Sequence, residues 1–378
     1  MSPSIEDNEY LVKLPVVLMR AGTSRGLFLH LEHLPKLQSS WKRILVRALG
    51  SKLGDPRQLE GLGGGSSTTS KVAVVSKSNV PNCDLDYNFV QIGVGEEIMD
   101  STGICGNMLS GIGPFAVDEG MVPCSKDATE VTVSIFNTNT QSKILETFSV
   151  KHGRFDPDGD YQISGVRGKG SPIKVEFLDP AGSMTPGLFP EGKKQHTLHI
   201  DFEDSSYTLK ATLIDAANPF VFVDGKDLPS VCSDWGSPRC FNFIEMARRQ
   251  ASVLFGLADT TETAALTKGT PKIALVSAGS EQSDIKVTAY SMGKLHPTLQ
   301  LSGLACLGAC VCLEGTIPFN LANKRQSLES KPTRVVIEHP QGLAEALVKH
   351  NGDQLQSVTV FRTARRLFEG TYLIDNSE

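Results

Sequence analysis

The sequence predicts an α+β fold, and three observations lead there. Short β-branched runs between turn residues outnumber helical patterns, the helical stretches are few, and one small-residue stretch recurs nearly two hundred residues later. In chain order, VKLPVVLM (12–19) reads as a strand, and LQSSWKRILVRALG (37–50) as a helix that stops at Gly50. KVAVVSK (71–77), DYNFVQIGV (86–94) and TVSIFN (132–137) follow as strands. GRFDPDGDYQISGVRGKGSPIKVEF (153–177), rich in Gly, Asp and Pro, reads as hairpins and loops. QHTLHIDF (195–202) is a further strand and CFNFIEMARRQASVLFGL (240–257) a second amphipathic helix.

The recurring stretch is CGNMLSGIGPFAVDEGMVP (105–123) and SGLACLGACVCLEGTIP (302–318). Each begins with a small nucleophilic side chain before Gly, runs through small apolar residues to Glu-Gly, and reaches Pro three residues after that Gly. Small residues permit close packing all round, so both stretches read as buried central helices ending at their Gly. A duplicated domain follows, with residues 1–190 as one unit, 191–359 as the other, and 360–378 returning to the first.

Composition bounds the function. The 378 residues carry 37 Lys and Arg against 42 Asp and Glu, a net charge of −5, which argues against nucleic acid or an anionic membrane as partner. No apolar stretch approaches the ~20 residues of a membrane span. MSPSIEDNEY is neither a signal nor a transit peptide, and eight cysteines lack paired spacing. Together these point to a cytoplasmic protein with reduced thiols. The sequence leaves room for a homodimer.

Three segments carry candidate chemistry. Cys105-Gly106-Asn107 puts a thiol at a helix mouth, where N–H groups and the dipole favour thiolate and can receive a carboxylate. GLGGGSSTTSKVAVV (61–75) switches from a Gly- and Ser-rich loop into a strand opened by Lys71, unlike a Walker loop, in which Lys opens a helix. Backbone N–H groups and hydroxyls around Ser66–Ser70 suit a carboxylate, with Lys71 as a positive charge or a base. A free lysine titrates near about 10.4, so a basic role requires burial or a cationic neighbour. Arginines in RAGTSRG (20–26) and FRTARRLFEG (361–370) suit bidentate clamping of carboxylates. Cys306, Cys310 and Cys312 lack nearby His and read as buried apolar thiols rather than a zinc site. DAANPFVFVDGKDLP (215–229) reads equally as a cleft edge or a turn. No dinucleotide or metal motif is evident, so no cofactor is expected.

Taken together, MRAGTSRG (19–26), GGGSSTTSK (63–71), DYNFVQ (86–91), CGNM (105–108), NPFVFV (218–223) and RTARRL (362–367) resemble the motifs of the 2-methylaconitate and methylitaconate isomerases. Aconitate Δ-isomerases and oxalomesaconate tautomerases are related members, and the resemblance runs in order over residues 14–372. It implies the diaminopimelate-epimerase-like fold, two related α+β domains that each curve a sheet around a central helix, with the active site between them. In the epimerase branch two cysteines face each other across the substrate. Here Cys105 matches the first, and Ser302 falls at the second, a poor proton-transfer base at neutral pH. That asymmetry fits the isomerase branch, in which a lysine matching Lys71 works with the CGN cysteine. Ala21 for a usual Gly and Arg25 for a common Lys bear on substrate identity more than on reaction class.

The resemblance implies Lys71 and Cys105 as catalytic residues. Arg20, Thr23, Ser24, Ser66, Ser67, Asn107, Ser302 and Arg362 are the expected substrate-binding set. The expected activity is cofactor-independent isomerisation of a small unsaturated polycarboxylate, cis- to trans-aconitate or a methylated analogue. The alternatives are tailoring of a related alkenyl acid, amino-acid epimerisation, and carboxylate binding without catalysis.

Overall fold

The computed structural model describes residues 11–323 and 332–375. The first half of the chain carries β1 (Leu11–Ala21), β2 (Ser24–His30), β3 (Lys71–Lys77), β4 (Leu85–Ile92), the short β5 (Met99–Asp100), β6 (Glu130–Asn137), β7 (Ser142–Lys151), the short β8 (Arg154–Phe155) and β9 (Ile173–Leu178). The second half carries β10 (His196–Phe202), β11 (Ser205–Asp215), β12 (Pro219–Asp224), β13 (Lys272–Ala278), β14 (Ile285–Ser291), the short β15 (Lys294–Leu295), β16 (Thr333–His339), β17 (Gly342–Asn351) and β18 (Gln354–Arg362). β19 (Ala364–Asp375) then returns to pair with β1. The strand runs legible in the sequence all fall on strands, and the α+β expectation holds.

The strands join edge to edge in the order β19-β1-β2-β3-β4-β6-β7-β9-β18-β17-β16-β14-β13-β12-β11-β10. Outward from the β9–β18 seam, both halves repeat one series of antiparallel and parallel pairings. The parallel pairs are β4–β6 and β2–β3 on one side, β14–β16 and β12–β13 on the other. β3 and β13 also share a burial pattern, a half-buried Lys, four buried apolar residues and a half-buried Ser. Such strands are buried on both faces, which is why they read as apolar runs rather than alternating ones.

Helices cover both faces. α1 (Trp41–Ala48) packs on the outer side of β1–β4 through Trp41, Leu45 and Val46. The short α2 (Gly106–Leu109) and α3 (Ile112–Asp118) lie on the inner side. In the second half α4 (Pro238–Leu254) is the outer helix, packed through Phe243, Ile244 and Ala247. Ser237 caps it by accepting from Cys240 N, with Pro238 in the first turn. α5 (Thr261–Ala264) follows it, and α6 (Leu301–Cys312) is the inner helix, buried at all twelve residues and followed by α7 (Ile317–Leu321). The inner helices and the inward strand faces share one core, whereas each outer helix has its own.

The expectation of two matching central helices needs one correction. The first is broken between Leu109 and Ile112. Pro114 has no N–H to give the carbonyl of Ser110 and its ring clashes there, so the chain restarts a helix instead of continuing one. That helix does end at its glycine: Gly120 has φ +70°, and Met121 N bonds back to Ala116 O at 2.8 Å. α6 stops earlier, at Cys312, and Thr316 Oγ1 donates to Cys310 O at 2.7 Å.

Candidate functional site

The inner helices meet at their N-termini. A Cβ on Gly106 would lie 2.6 Å from Leu301 Cδ2, so this approach of α2 to α6 admits only glycine. Beside the junction opens a cleft of about 630 Å³, its mouth included. The first half contributes Ser24, Ser67, Thr68, Lys71, Gln91, Asp100, Cys105 and Asn107, and the second Thr270, Lys272, His296, Gln300 and Ser302. Lys71 and Cys105 are thus brought together.

Lys71 is held by its neighbours. Its Nζ donates to Gln91 Oε1 at 2.6 Å and stands 5.1 Å from the centre of the Phe89 ring. Gln91 is itself fixed, because its Nε2 donates to Ser67 O, Ser70 O and Ile92 O. The glycine-rich loop therefore turns carbonyls toward Gln91. It closes on Gln58, whose Oε1 accepts from Gly65 N and Ser70 Oγ, both at 2.9 Å. Ser67 and Thr68 reach the cleft, whereas the Ser66 hydroxyl bonds to Thr68 and Thr69 and does not line it.

Cys105 precedes a helix of only four residues, so the dipole expected to assist its thiol is small. Asn107, two residues on, accepts from Arg362 Nε at 3.0 Å and donates to Thr23 Oγ1 at 3.0 Å. Thr23 Oγ1 lies 3.4 Å from Thr298 Oγ1, so this chain crosses from one half to the other. Gly22, at φ +54°, makes the arrangement possible, since a Cβ there would sit 2.3 Å from Asn107 Oδ1. Burial pushes the Arg362 guanidinium down to about 10. Thr23 and Arg362 brace Asn107 from behind the cleft wall.

Arg20 is also behind the wall. Its Nη1 donates to Gly22 O at 3.0 Å and Thr363 O at 2.8 Å, which ties the β1–β2 turn to the start of β19. Arg20→Ala is accordingly expected to leave kcat and KM within about threefold of wild type, and to cost ~1–2 kcal/mol of stability for the lost bonds. Denaturant titration beside steady-state kinetics would check this, and a KM raised tenfold at unchanged stability would return Arg20 to the substrate.

The second half holds what the sequence reading missed. Lys272 opens β13 as Lys71 opens β3, and KIALVSA against KVAVVSK was the available signal. Ser302 lies inside α6, with Gln300 at its N-cap, so Gln300 stands before the second inner helix as Cys105 stands before the first. Both side-chain polar atoms of Gln300, and Ser302 Oγ, Thr270 Oγ1 and Asn218 Oδ1, are buried without a hydrogen-bond partner among the described residues. Asn218 lies close behind Gly103, which places NPFVFV at the cleft edge. Orphaned polar atoms gathered at one cleft mark it as a place for a polar guest.

His296 Nδ1–H donates to Thr298 O at 2.7 Å, and burial pushes the ring down to about 4, so it is neutral. Asp100 faces the cleft with Oδ1 accepting from Thr102 N and Oγ1. Cys306 donates to Ala216 O and Asn218 O, and burial pushes its thiol up to about 12. Among the described residues no group of three or more His, Cys, Asp or Glu could hold a metal. No helix there is long and apolar enough to cross a membrane.

Residues 11–375 match the PrpF protein family. The chain belongs to that family. It is 35% identical over 377 residues to YraM of Bacillus subtilis, covering 96% of this chain and 97% of the relative. It is 31% identical to the 3-methylitaconate isomerase of Eubacterium barkeri (97% and 98% covered) and 29% to the 2-methyl-aconitate isomerase of Cupriavidus necator (95% and 96%). Among solved structures, a methylitaconate-delta-isomerase superposes with a TM-score of 0.77 at 30% identity, 97% of each chain covered. A hydroxyproline epimerase from Agrobacterium vitis superposes at 0.59 and 9% identity over 97% of this chain and 92% of its own, which shows a shared fold. The fold is thus the epimerase-like one that the motifs implied, and this PrpF-family chain is an isomerase.

Proposed function

We propose that this PrpF-family chain shifts a carbon–carbon double bond in a small unsaturated polycarboxylate without a cofactor, interconverting cis- and trans-aconitate or a close methylated analogue. The observation that carries this reading is Lys71 and Cys105 lining one cleft with Lys272 and unpartnered amide and hydroxyl groups. Cations and donors suit carboxylates and the charge that builds on carbon when a proton beside one is removed. A proton leaves the methylene carbon, its electron pair spreads over the allylic system toward a carboxylate, and the far allylic carbon takes a proton. Lys71 and Cys105 are the proton carriers of this shift. The relatives named for methylitaconate and methylaconitate, both alkenoic polyacids, support the substrate class. Amino-acid epimerisation is less well supported, because α6 presents Gln300 and Ser302 rather than a second thiol.

Incubation with cis-aconitate, trans-aconitate, itaconate and methylated relatives in D₂O, followed by NMR, tests the proposal. The expected product carries deuterium from solvent or its own internally transferred proton, and no hydroxy acid forms. Isomerisation with both the vinylic and methylene C–H bonds untouched would defeat the allylic route. Inertness toward every alkenoic acid, or turnover of an amino acid instead, would defeat the substrate class.

A further inference from the structure

Lys71 and Lys272 occupy corresponding positions of the two halves, each the first residue of a strand with the same burial pattern, and both line the cleft. Their surroundings differ. Lys71 donates to Gln91 Oε1 and stands over the Phe89 ring. The Lys272 side chain has no hydrogen bond or ion pair among the described residues and lines the cleft half-buried. An amine in a cleft wall without an acceptor or a paired carboxylate has little in the protein to stabilise its charge.

We infer that Lys272 is the base that opens the allylic shift, while Lys71 and Cys105 stand on the side that returns the proton. This rests on the function proposed above and refines it, moving the opening abstraction from the Lys71–Cys105 pair to Lys272. The neutral Lys272 amine takes a methylene proton: the C–H bond breaks, an N–H bond forms, and the electron pair enters the allylic system. The far carbon then takes a proton from the Lys71 ammonium or the Cys105 thiol, and exchange with solvent restores both groups. No oxidant or further reactant is needed.

The electrostatics agree with the geometry. Burial pushes Lys272 down to about 8, with Lys71 lowering it further and Cys105, Cys306 and Asp100 opposing. His296 is neutral and adds no charge. On its other side Lys272 borders Glu245, Arg248 and Lys268, and Glu245 is already held by Arg248 and Arg249. A base of this strength keeps a neutral fraction of roughly a tenth to a fifth between about pH 7 and 7.4, enough to serve proton abstraction.

The test is isotope exchange with Lys272→Met and Lys272→Arg, folding being checked by thermal melts. Methionine keeps about the length of the half-buried lysine stem, so the fold should tolerate it. Lys272→Met should lose both methylene exchange with D₂O and isomerisation by ~10²–10⁴. Lys272→Arg, which keeps the charge but cannot act as a base, should stay as slow. Lys71→Ala and Cys105→Ala should keep methylene exchange while isomerisation falls. The acidic limb of kcat/KM, expected near pH 8 in the wild type, should disappear in Lys272→Met. Methylene exchange at the wild-type rate in Lys272→Met, or rescue by Lys272→Arg with only KM altered, would overturn the inference and leave Lys272 a carboxylate anchor.

A readout independent of turnover separates this inference from the proposed substrate. In protein labelled with ¹³Cε-lysine, the resonance absent from Lys272→Met should titrate about two pH units below ordinary lysines and respond to tricarballylate, a saturated tricarboxylate. An ordinary titration near 10.4 would sink the assignment of the base even if aconitate were turned over. A wild type that exchanges and isomerises none of the alkenoic acids would sink the substrate reading, and with it the role given to Lys272.

Discussion

Lys71→Ala and Cys105→Ala should each lower turnover by ~10²–10⁴, the usual span for loss of a positioned proton-transfer group. That span is about 2.7–5.4 kcal/mol of transition-state stabilisation. For Lys71 the loss has two parts. The proton carrier disappears, and Gln91 Oε1 loses the donor it meets at 2.6 Å. Gln91 remains fixed by its three carbonyl contacts, so the glycine-rich loop should keep its place and the melting temperature should move little. Cys105→Ser separates a thiol requirement from a requirement for any small polar group. If Cys105 carries a proton, its hydroxyl replacement should be nearly as slow as the alanine variant. Retention of most activity by Cys105→Ser would remove the thiol from the mechanism.

Much of the fold was legible because its strands are short, β-branched and bounded by turn residues. KVAVVSK, DYNFVQIGV and QHTLHIDF all fall on strands within two residues at either end. The internal repeat was visible in only one of its elements. Residues 105–123 and 302–318 look alike as small-residue, apolar stretches, and aligning them by nucleophile and glycine sets Ser302 against Cys105. Backbone geometry instead puts Gln300 at the mouth of α6, because its helix begins at Leu301, one residue before Ser302. The stronger echo lay in the paired strands. KIALVSA was not read as an active-site strand because four buried apolar residues follow its Lys, and nothing in such a run says which cleft the first side chain enters. The pairing series, repeated outward from the β9–β18 seam, is what turns the likeness of KIALVSA to KVAVVSK into a correspondence of Lys272 with Lys71.

The arginines show a second limit. A guanidinium fits a carboxylate and a backbone carbonyl about equally well, and the sequence does not say which lies within reach. Arg20 meets Gly22 O and Thr363 O, and Arg362 meets Asn107. The positive charge at the cleft surface is supplied by lysines, whose compact ammonium groups lose their charge more readily when enclosed. Cationic groups of this kind suit anions and can also exchange a proton.

Arg362→Ala is the second large expected effect, and it acts through Asn107. The guanidinium Nε holds Asn107 Oδ1 at 3.0 Å in a buried setting, and Asn107 Nδ2 in turn holds Thr23 Oγ1 beside Thr298. A buried hydrogen bond from a charged donor contributes about 1.5–3 kcal/mol, so kcat/KM should fall by ~10–10²-fold as Asn107 loses its fixed orientation. A residue that clamps substrate directly would mainly raise KM, whereas one that orients a cleft side chain should lower kcat as well. The decisive measurement is a double-mutant cycle on kcat/KM. Once Asn107→Ala is in place, Arg362→Ala should cost little more, because both substitutions break the same contact. Strictly additive effects, with the Arg362→Ala loss confined to KM, would place the guanidinium on the substrate after all. Thr23→Ala extends the same logic to the far end of the chain, where a smaller loss is expected because its hydroxyl is neutral and its 3.4 Å approach to Thr298 is long.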